Sequence, residues 1–312
     1  MRLIFLGTPA FAVPTLERIV EAGHAVLLVV TQPDRPSGRG QKFAASPVKQ
    51  AAERLGLPVY QPERIRKPEA VSHLREIPVD AMVVVGYGQI IPQSIIHLAP
   101  LGIINVHGSL LPKYRGAGPI QWSIINGETR TGVTTMRIDA GLDTGDMLLK
   151  AEMEIGPDEN AVELGQRMAT LGADLLVETL AGLLDARILP EKQDNARATY
   201  APLLKKENGH IDWTHESRAI HNQVRGLQPW PGAFTTFRGA PLHIWKSRVV
   251  AADAPQGAPG SLMSLKPPVV RCGTGMLELV EVQMEGRKRI PAADFANGQR
   301  LTENEILGGT NT

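Results

Sequence analysis

Four short apolar runs, Arg2–Leu6, Ala25–Thr31, Ala81–Val85 and Gly102–Val106, show no polar alternation. A strand with one wetted face alternates apolar and polar residues, so such runs belong to strands covered on both faces, as in parallel sheets. Helical stretches lie between or beside them: Pro14–Ala22, Pro47–Leu55, Pro68–Ile77 and Pro92–Leu98. Each opens on a proline, which is tolerated in a first turn because that turn's N–H groups lack intrahelical partners. Ser46 supplies an N-cap ahead of Pro47. Alternating strands and helices predict an α/β fold, a doubly wound, Rossmann-like, mostly parallel sheet. Gly7-Thr8-Pro9 does not complete a Gly-x-Gly-x-x-Gly fingerprint, so no nicotinamide cofactor is expected.

A chain of 312 residues exceeds one typical domain. Strand Met147–Ile155 precedes Asn160 and Glu163, a capping-box pair that opens a long helix. Val162, Leu164, Met168, Leu171, Leu175 and Leu176 give this helix a broad apolar stripe for packing on the sheet. The polar segment Glu191–Tyr200 has the composition of a linker. Beyond it the pattern changes. Thr214 caps a helix running to Arg225, and Ala233–Phe237, Leu242–Val250, Val269–Cys272 and Met276–Met284 read as strands, with Arg238-Gly239 a hairpin tip. Short strands separated by frequent turns predict a smaller β-barrel, with Trp213, Trp230 and Trp245 filling its core and Glu303–Thr312 a mobile tail. The expected division is residues 1–190, a linker over 191–206 and a second domain over 207–312.

The formal net charge of +1 gives no general basic footprint, so a nucleic-acid partner would have to be held by local clusters. The single Cys272 excludes an internal disulfide and fits a reducing compartment. The apolar N-terminal run is too short for a signal peptide, and no run reaches membrane-spanning length. A cytoplasmic, monomeric protein with no membrane partner is expected.

Period-two geometry puts Asn105 and His107 on one face at the carboxyl end of their strand, where open α/β sheets keep their chemistry. A further strand, Gly132–Ile138, runs into a turn in which Gly141 and Gly145 let the backbone bend around Asp143. An amide, an imidazole and a carboxylate are the parts needed to move an activated one-carbon acyl group onto an amine. Asn105 can donate to an oxyanion, His107 can polarise the carbonyl or relay a proton, and Asp143 can orient the imidazole and assist proton return. Asp139, Asp143 and Asp146 do not match a calcium loop, and His210, His215 and His221 lack zinc-ligand spacing, so no metal is expected. The Ser109–Pro119 loop is stiffened by two prolines, and its Tyr114 offers a face to a flat ring. The connection Gln32–Ala45 is longer than the usual two to six residues and carries Arg35, Arg39 and Lys42, which can pair with phosphates. Lys205, Lys206, Arg287 and Lys288 (with Arg289) are weaker basic candidates.

Asn105-Val106-His107-Gly108-Ser109-Leu110-Leu111-Pro112 together with Gly141-Leu142-Asp143-Thr144-Gly145 resembles the 10-formyltetrahydrofolate-dependent formyltransferases. Gly108 after His107, and the run Arg115-Gly116-Ala117-Gly118-Pro119-Ile120-Gln121, are similar to the branch that acts on methionyl-tRNA, with Gly118 where that branch usually carries Ala. The resemblance covers nearly the whole chain, strongly to about Leu149 and weakly after about Leu203. It implies 10-formyltetrahydrofolate as formyl donor and initiator methionyl-tRNA as acceptor, with Asn105, His107 and Asp143 catalytic. It implies a folate wall at Ser109, Leu110, Leu111, Pro112, Val84, Tyr87 and Gly88. It also implies an oligonucleotide-binding-like (OB-like) second domain and a basic loop, with Arg39 foremost, against the tRNA acceptor end. A formyltransferase for an amino sugar or a purine precursor, and a folate- or RNA-binding module without chemistry, remain the alternatives.

Overall fold

The computed structural model describes residues 1–37, 42–251, 256–303 and 305–309. The chain divides into two compact units, one of Met1–Gly116, Thr131–Met153 and Gly165–Tyr200, the other of Ala117–Arg130, Glu154–Leu164 and Ala201–Thr312. The elements in chain order are β1 (Arg2–Gly7), α1 (Val13–Glu21), β2 (Ala25–Val30), β3 (Arg35–Ser37), β4 (Lys42–Ala44), α2 (Pro47–Arg54), β5 (Val59–Tyr60) and α3 (Pro68–Arg75). They continue with β6 (Ala81–Val85), α4 (Gln93–Ile96), β7 (Ile103–His107), α5 (Pro119–Ile125), β8 (Arg130–Arg137), β9 (Met147–Glu154) and α6 (Ala161–Leu184). The remainder comprises α7 (Ser217–Gly226), β10 (Ala233–Phe237), β11 (Ala240–Val250), β12 (Leu262–Leu265), β13 (Pro268–Arg271), β14 (Met276–Met284), β15 (Ile290–Pro291) and α8 (Ala292–Gln299).

The first unit is built on a seven-stranded sheet in the order β5-β2-β1-β6-β7-β8-β9. From β5 to β7 every pairing is parallel, and β8 runs antiparallel to β7. The doubly wound expectation therefore holds with an antiparallel edge, a common variation. One face buries Ile4, Leu6, Leu28, Val30, Met82 and Val84 against Val71 and Leu74 of α3 and Ile95 of α4. On the other, α6 approaches so closely at Gly172 that a Cβ there would lie 2.8 Å from Val106 Cγ1. The caps follow the sequence: Ser46 Oγ accepts from Lys49 N at 3.1 Å. Asn160 Oδ1 accepts from Glu163 N while Glu163 Oε2 accepts from Asn160 N.

In the second unit the sheet order is β10-β11-β14-β13-β12, with β15 on β14. The β10–β11 hairpin turns at Arg238 and Gly239, whose φ values of 48° and 80° are left-handed, as a tight hairpin requires. Leu242, Ile244, Val270, Leu277 and Val282 form the core, closed by α8 through Phe295 on Phe237. This helix, β12 and β15 were not foreseen. The tail also differs from expectation. Leu262 N donates to Glu305 O, Leu307 N to Gly260 O and Gly308 N to Thr236 O, so residues 305–308 join the β12 and β10 sides of the sheet and supply hydrogen-bond partners that edge strands otherwise lack. Trp213 is buried, but Trp230 is 56% exposed and Trp245 half-buried, so one of three tryptophans is fully in the core. Thr214 does not cap α7; its N–H and hydroxyl both donate to Asp212. Within this unit Gly226 lets α7 pack tightly on α5, since a Cβ there would lie 2.7 Å from Ile125 Cγ1.

Candidate functional site

Strand β7 ends at the carboxyl edge of its sheet with Asn105 and His107 on one face, two residues apart. His107 is 5% exposed, and its Nε2 lies 2.9 Å from the carbonyl oxygen of Tyr114. A carbonyl only accepts, so the imidazole donates from Nε2. Nδ1 is then the atom at which the ring gains or loses a proton. It faces Asp143, whose Oδ2 is 3.7 Å away, close enough for an ion pair and too far for a direct hydrogen bond. Half-buried Asn105 makes no side-chain hydrogen bond to any described residue, which leaves its amide available to a ligand.

Asp143 sits at the tip of the turn after β8 with φ 51°. The same Oδ2 that faces His107 accepts from Gly116 N at 2.8 Å. Both flanking glycines sit where a Cβ would collide, on a side chain at Gly141 and on backbone at Gly145. A Cβ on Gly141 would lie 2.0 Å from Thr144 Oγ1, and one on Gly145 1.9 Å from the Arg137 carbonyl. Asp139 stiffens the bend by accepting from Gly141 N and from Thr144 Oγ1. The three residues named from sequence are thus gathered at one sheet edge, on β7 and on the turn after β8.

The loop after β7 is held from beneath. Thr134 of β8 donates its hydroxyl to Ser109 O at 2.7 Å and accepts from Leu111 N at 3.1 Å. Ser109 Oγ donates to Lys113 O. Of the seven residues expected to wall a folate, Ser109, Leu111, Val84 and Tyr87 are buried, Leu110 and Pro112 half-exposed and Gly88 exposed. Tyr114, expected to offer its ring, is only 7% exposed, so that face is covered. Burial pushes the Tyr87 phenol upward, and among the described residues its hydroxyl lacks a hydrogen-bond partner.

The polar segment expected to be a linker also straps this site. Glu191 exchanges two backbone hydrogen bonds with Met147. Gln193 Nε2 donates to the carbonyls of Asp143 and Gly145, each at 2.8 Å. Thr199 receives Tyr114 N on its hydroxyl and Arg115 N on its carbonyl. Arg115, 2% exposed, donates from Nε to Gln193 Oε1 at 3.0 Å and from Nη2 to Asn195 Oδ1 at 2.9 Å. Sequence reasoning missed Thr134, Gln193, Asn195 and Thr199; the one available signal was two amide side chains close together in a polar stretch.

The basic candidates lie on separate segments of the chain. Arg35, exposed in the short antiparallel ribbon β3–β4, reaches Gln32 Oε1 at 3.5 Å, and Phe43 beside it is 75% exposed. Arg39 and the side chain of Lys42 lie outside the described residues. In the second unit Lys205, Lys206, Arg287 and Lys288 are exposed, and Arg289 lies 4.0 Å from the centroid of the Trp245 ring. Among the described residues no group of three or more His, Cys, Asp or Glu side chains is placed to hold a metal ion, and no helix is long and apolar enough to cross a membrane. Cys272 is fully buried, and burial pushes its thiol up to about 12.

Comparison with known proteins bears on this arrangement. The Formyl transferase family matches residues 1–180, and the Formyl transferase, C-terminal domain family matches residues 203–300. The methionyl-tRNA formyltransferase of Solibacter usitatus is 74% identical over 308 residues, 99% of each chain. That of Geobacter metallireducens is 52% identical over 310 residues, again 99% of each. A crystal structure of the N-formyltransferase from Helicobacter canadensis, in complex with folinic acid and dTDP-3-aminofucose, superposes with a TM-score of 0.68 at 20% identity, covering 90% of this chain and 98% of that one. At that identity the structural likeness speaks to the fold.

Proposed function

The chain belongs to the methionyl-tRNA formyltransferase branch of the formyltransferase family, and on that premise we propose how its residues move a formyl group from 10-formyltetrahydrofolate to the α-amino group of methionyl-initiator tRNA. The product is N-formylmethionyl-tRNA for translation initiation. One observation carries the reading: a half-buried amide without a side-chain hydrogen bond among the described residues, an imidazole whose Nδ1 has no hydrogen bond among them and a carboxylate facing that nitrogen share one sheet edge.

The methionyl nitrogen bonds to the formyl carbon, and the carbonyl electron pair moves onto oxygen. Asn105 donates to that oxyanion; removing such a donor typically slows turnover by about a hundred- to a thousandfold. The attacking nitrogen loses a proton, and the departing folate nitrogen takes one as its bond to the carbon breaks. The His107–Asp143 pair serves both transfers. The Tyr114 carbonyl occupies Nε2, so Nδ1, which faces the Asp143 carboxylate, is the exchanging position. No covalent enzyme intermediate is needed, and the chain contributes orientation and electrostatics.

In this reading the pterin is met by Leu110, Pro112 and Gly88 at the surface. Ser109, Leu111, Val84 and Tyr87 lie behind and act through backbone groups or by holding the wall in place. Arg35, Arg39 and Lys42 engage the acceptor end of tRNA. Lys205, Lys206, Arg287 and Lys288 add salt-sensitive phosphate affinity. Residues 1–190 form the catalytic domain and 207–312 a tRNA-binding domain of a cytoplasmic monomer. The test is an acceptor comparison with labelled donor: charged initiator tRNA beside an amino-sugar nucleotide and a purine-precursor amine. Label is expected on the methionyl nitrogen; preferential labelling of either small acceptor would overturn the assignment. Within the basic loop, Arg39→Ala should weaken use of charged tRNA far more than slow hydrolysis of the folate, and equal losses in both would remove its acceptor-binding role.

A further inference from the structure

We infer that Gln193 is a positioning residue for formyl transfer, fixing the Asp143 carboxylate opposite His107 Nδ1 by clamping the backbone on which Asp143 stands. This rests on the function proposed above.

One amide group spans the bend, its Nε2 donating at 2.8 Å to the carbonyls of both Asp143 and Gly145. Asp143 is at φ 51°, a region that residues other than glycine seldom occupy. Such a conformation persists where the surroundings over-determine it, and two hydrogen bonds from one side chain do so. At 3.7 Å from Nδ1 the carboxylate has no direct hydrogen bond to the imidazole, and Gly116 N holds only its Oδ2, so the register of the pair depends also on the backbone that carries Asp143. Gln193 is itself held. Its Oε1 accepts from Arg115 Nε, and Arg115 is anchored by Asn195 Oδ1 on the same strap. Arg115 is 2% exposed and, among the described residues, has only these two amide oxygens as side-chain partners and no carboxylate. A buried guanidinium bound by neutral acceptors imposes direction on them: Gln193 must turn its oxygen toward Arg115, which points its NH₂ toward the turn. The amide orientation is therefore set by the cation.

Two variants separate positioning from mere packing. Gln193→Glu keeps the size of the side chain and an acceptor for Arg115 but cannot donate to the two carbonyls when ionised. Gln193→Met keeps the volume and loses both functions. Each is compared with wild type in steady-state formylation of charged initiator tRNA, with thermal unfolding measured in parallel. For Gln193→Glu, kcat should fall about ten- to a hundredfold, the range expected when a catalytic group is displaced by roughly 1 Å. Its KM for tRNA and for the folate should stay within about threefold, and the pH dependence of kcat should shift because the His107–Asp143 geometry has changed. Asn195→Ala, which loosens only Arg115, should lie between wild type and Gln193→Met. A Gln193→Glu enzyme with kcat within twofold of wild type and an unchanged pH profile would overturn the positioning role. So would losses that appear only in KM, or that track thermal stability alone across the three variants. A wild-type protein that transfers no formyl group to charged tRNA would overturn the function beneath the inference, a result distinct from active wild type with unaffected variants.

Discussion

Each unit buries a histidine and an arginine, and the two histidines differ in one respect. In the second unit His221, 2% exposed on α7, has both nitrogens occupied: Nδ1 lies 3.1 Å from Ser247 Oγ, and Nε2 lies 3.3 Å from both the Pro157 carbonyl and Asp158 Oδ1. Its neighbour Arg225 donates to Asn222 Oδ1 and to the carbonyls of Gly156 and Glu159. In the first unit His107 is as deeply buried, yet among the described residues one nitrogen has no hydrogen-bonded partner, and it faces a carboxylate. Burial of a polar side chain thus does not distinguish scaffold from chemistry. A ring whose hydrogen bonds are complete ties elements together, and a ring with one open position can exchange a proton.

The largest effect that could break this contrast is at Asn105. Asn105→Ala should lower kcat by about a hundred- to a thousandfold and leave the melting temperature nearly unchanged, because among the described residues the amide has no hydrogen-bond partner to lose. Near-normal turnover would remove the site. Next comes Gly145→Ala, where the new methyl meets the Arg137 carbonyl. The turn must open, costing about 1–3 kcal/mol of stability and, through displacement of Asp143, around a hundredfold in kcat. A stable and active variant would show that the carboxylate need not be held. His221→Leu should do the reverse of Asn105→Ala. It leaves the Ser247 hydroxyl and the Pro157 carbonyl unpaired, costing about 1–3 kcal/mol in denaturant unfolding, with kcat within about twofold. Lost turnover at full stability would erase the distinction between the two histidines.

The smallest effect is in pH. Burial lowers the affinity of His221 for a proton, and of His24 and His243 likewise. Each binds a proton more weakly folded than unfolded, so its contribution to stability is present above the unfolded value of 6.5 and is lost as pH falls toward the folded one. Unfolding followed between pH 8 and 5 should show stability declining from roughly pH 6.5 downward, by at most about 1.4 kcal/mol per pH unit for each such group. His221→Gln should flatten that decline, and an unchanged slope would count against its buried, neutral state. Asp34, Asp80 and Asp212, lowered mainly by hydrogen bonds from Lys49, Arg2 and Thr214 respectively, act in a separate window below about pH 4.

The parts of the site that were legible in the sequence are those fixed locally. The same-face relation of Asn105 and His107 follows from strand geometry, and the glycines at 141 and 145 announce a bend that larger residues would block. Gln193 was illegible because what it holds lies 48 and 50 residues upstream; a stretch rich in polar side chains has the composition of a linker whether or not those side chains are in use. The same reason hid the role of the tail. Residues 305–308 look like a frayed end, and they are ordered by what they meet: the free edges of β10 and β12. The long connection after β2 drew attention by its length, but its β3–β4 ribbon depends on cross-strand pairing that no local propensity announces. Buried tryptophan was a composition argument, and it failed for Trp230 because large aromatics also serve on surfaces.

The left-handed backbone at Asp143 carries a consequence for attempts to toughen the protein. Asparagine tolerates that conformation too and would still offer Gly116 an oxygen. A screen that rewarded only heat resistance would find asparagine acceptable at this position, and the survivors would be sturdy proteins in which the proton relay proposed above had stalled.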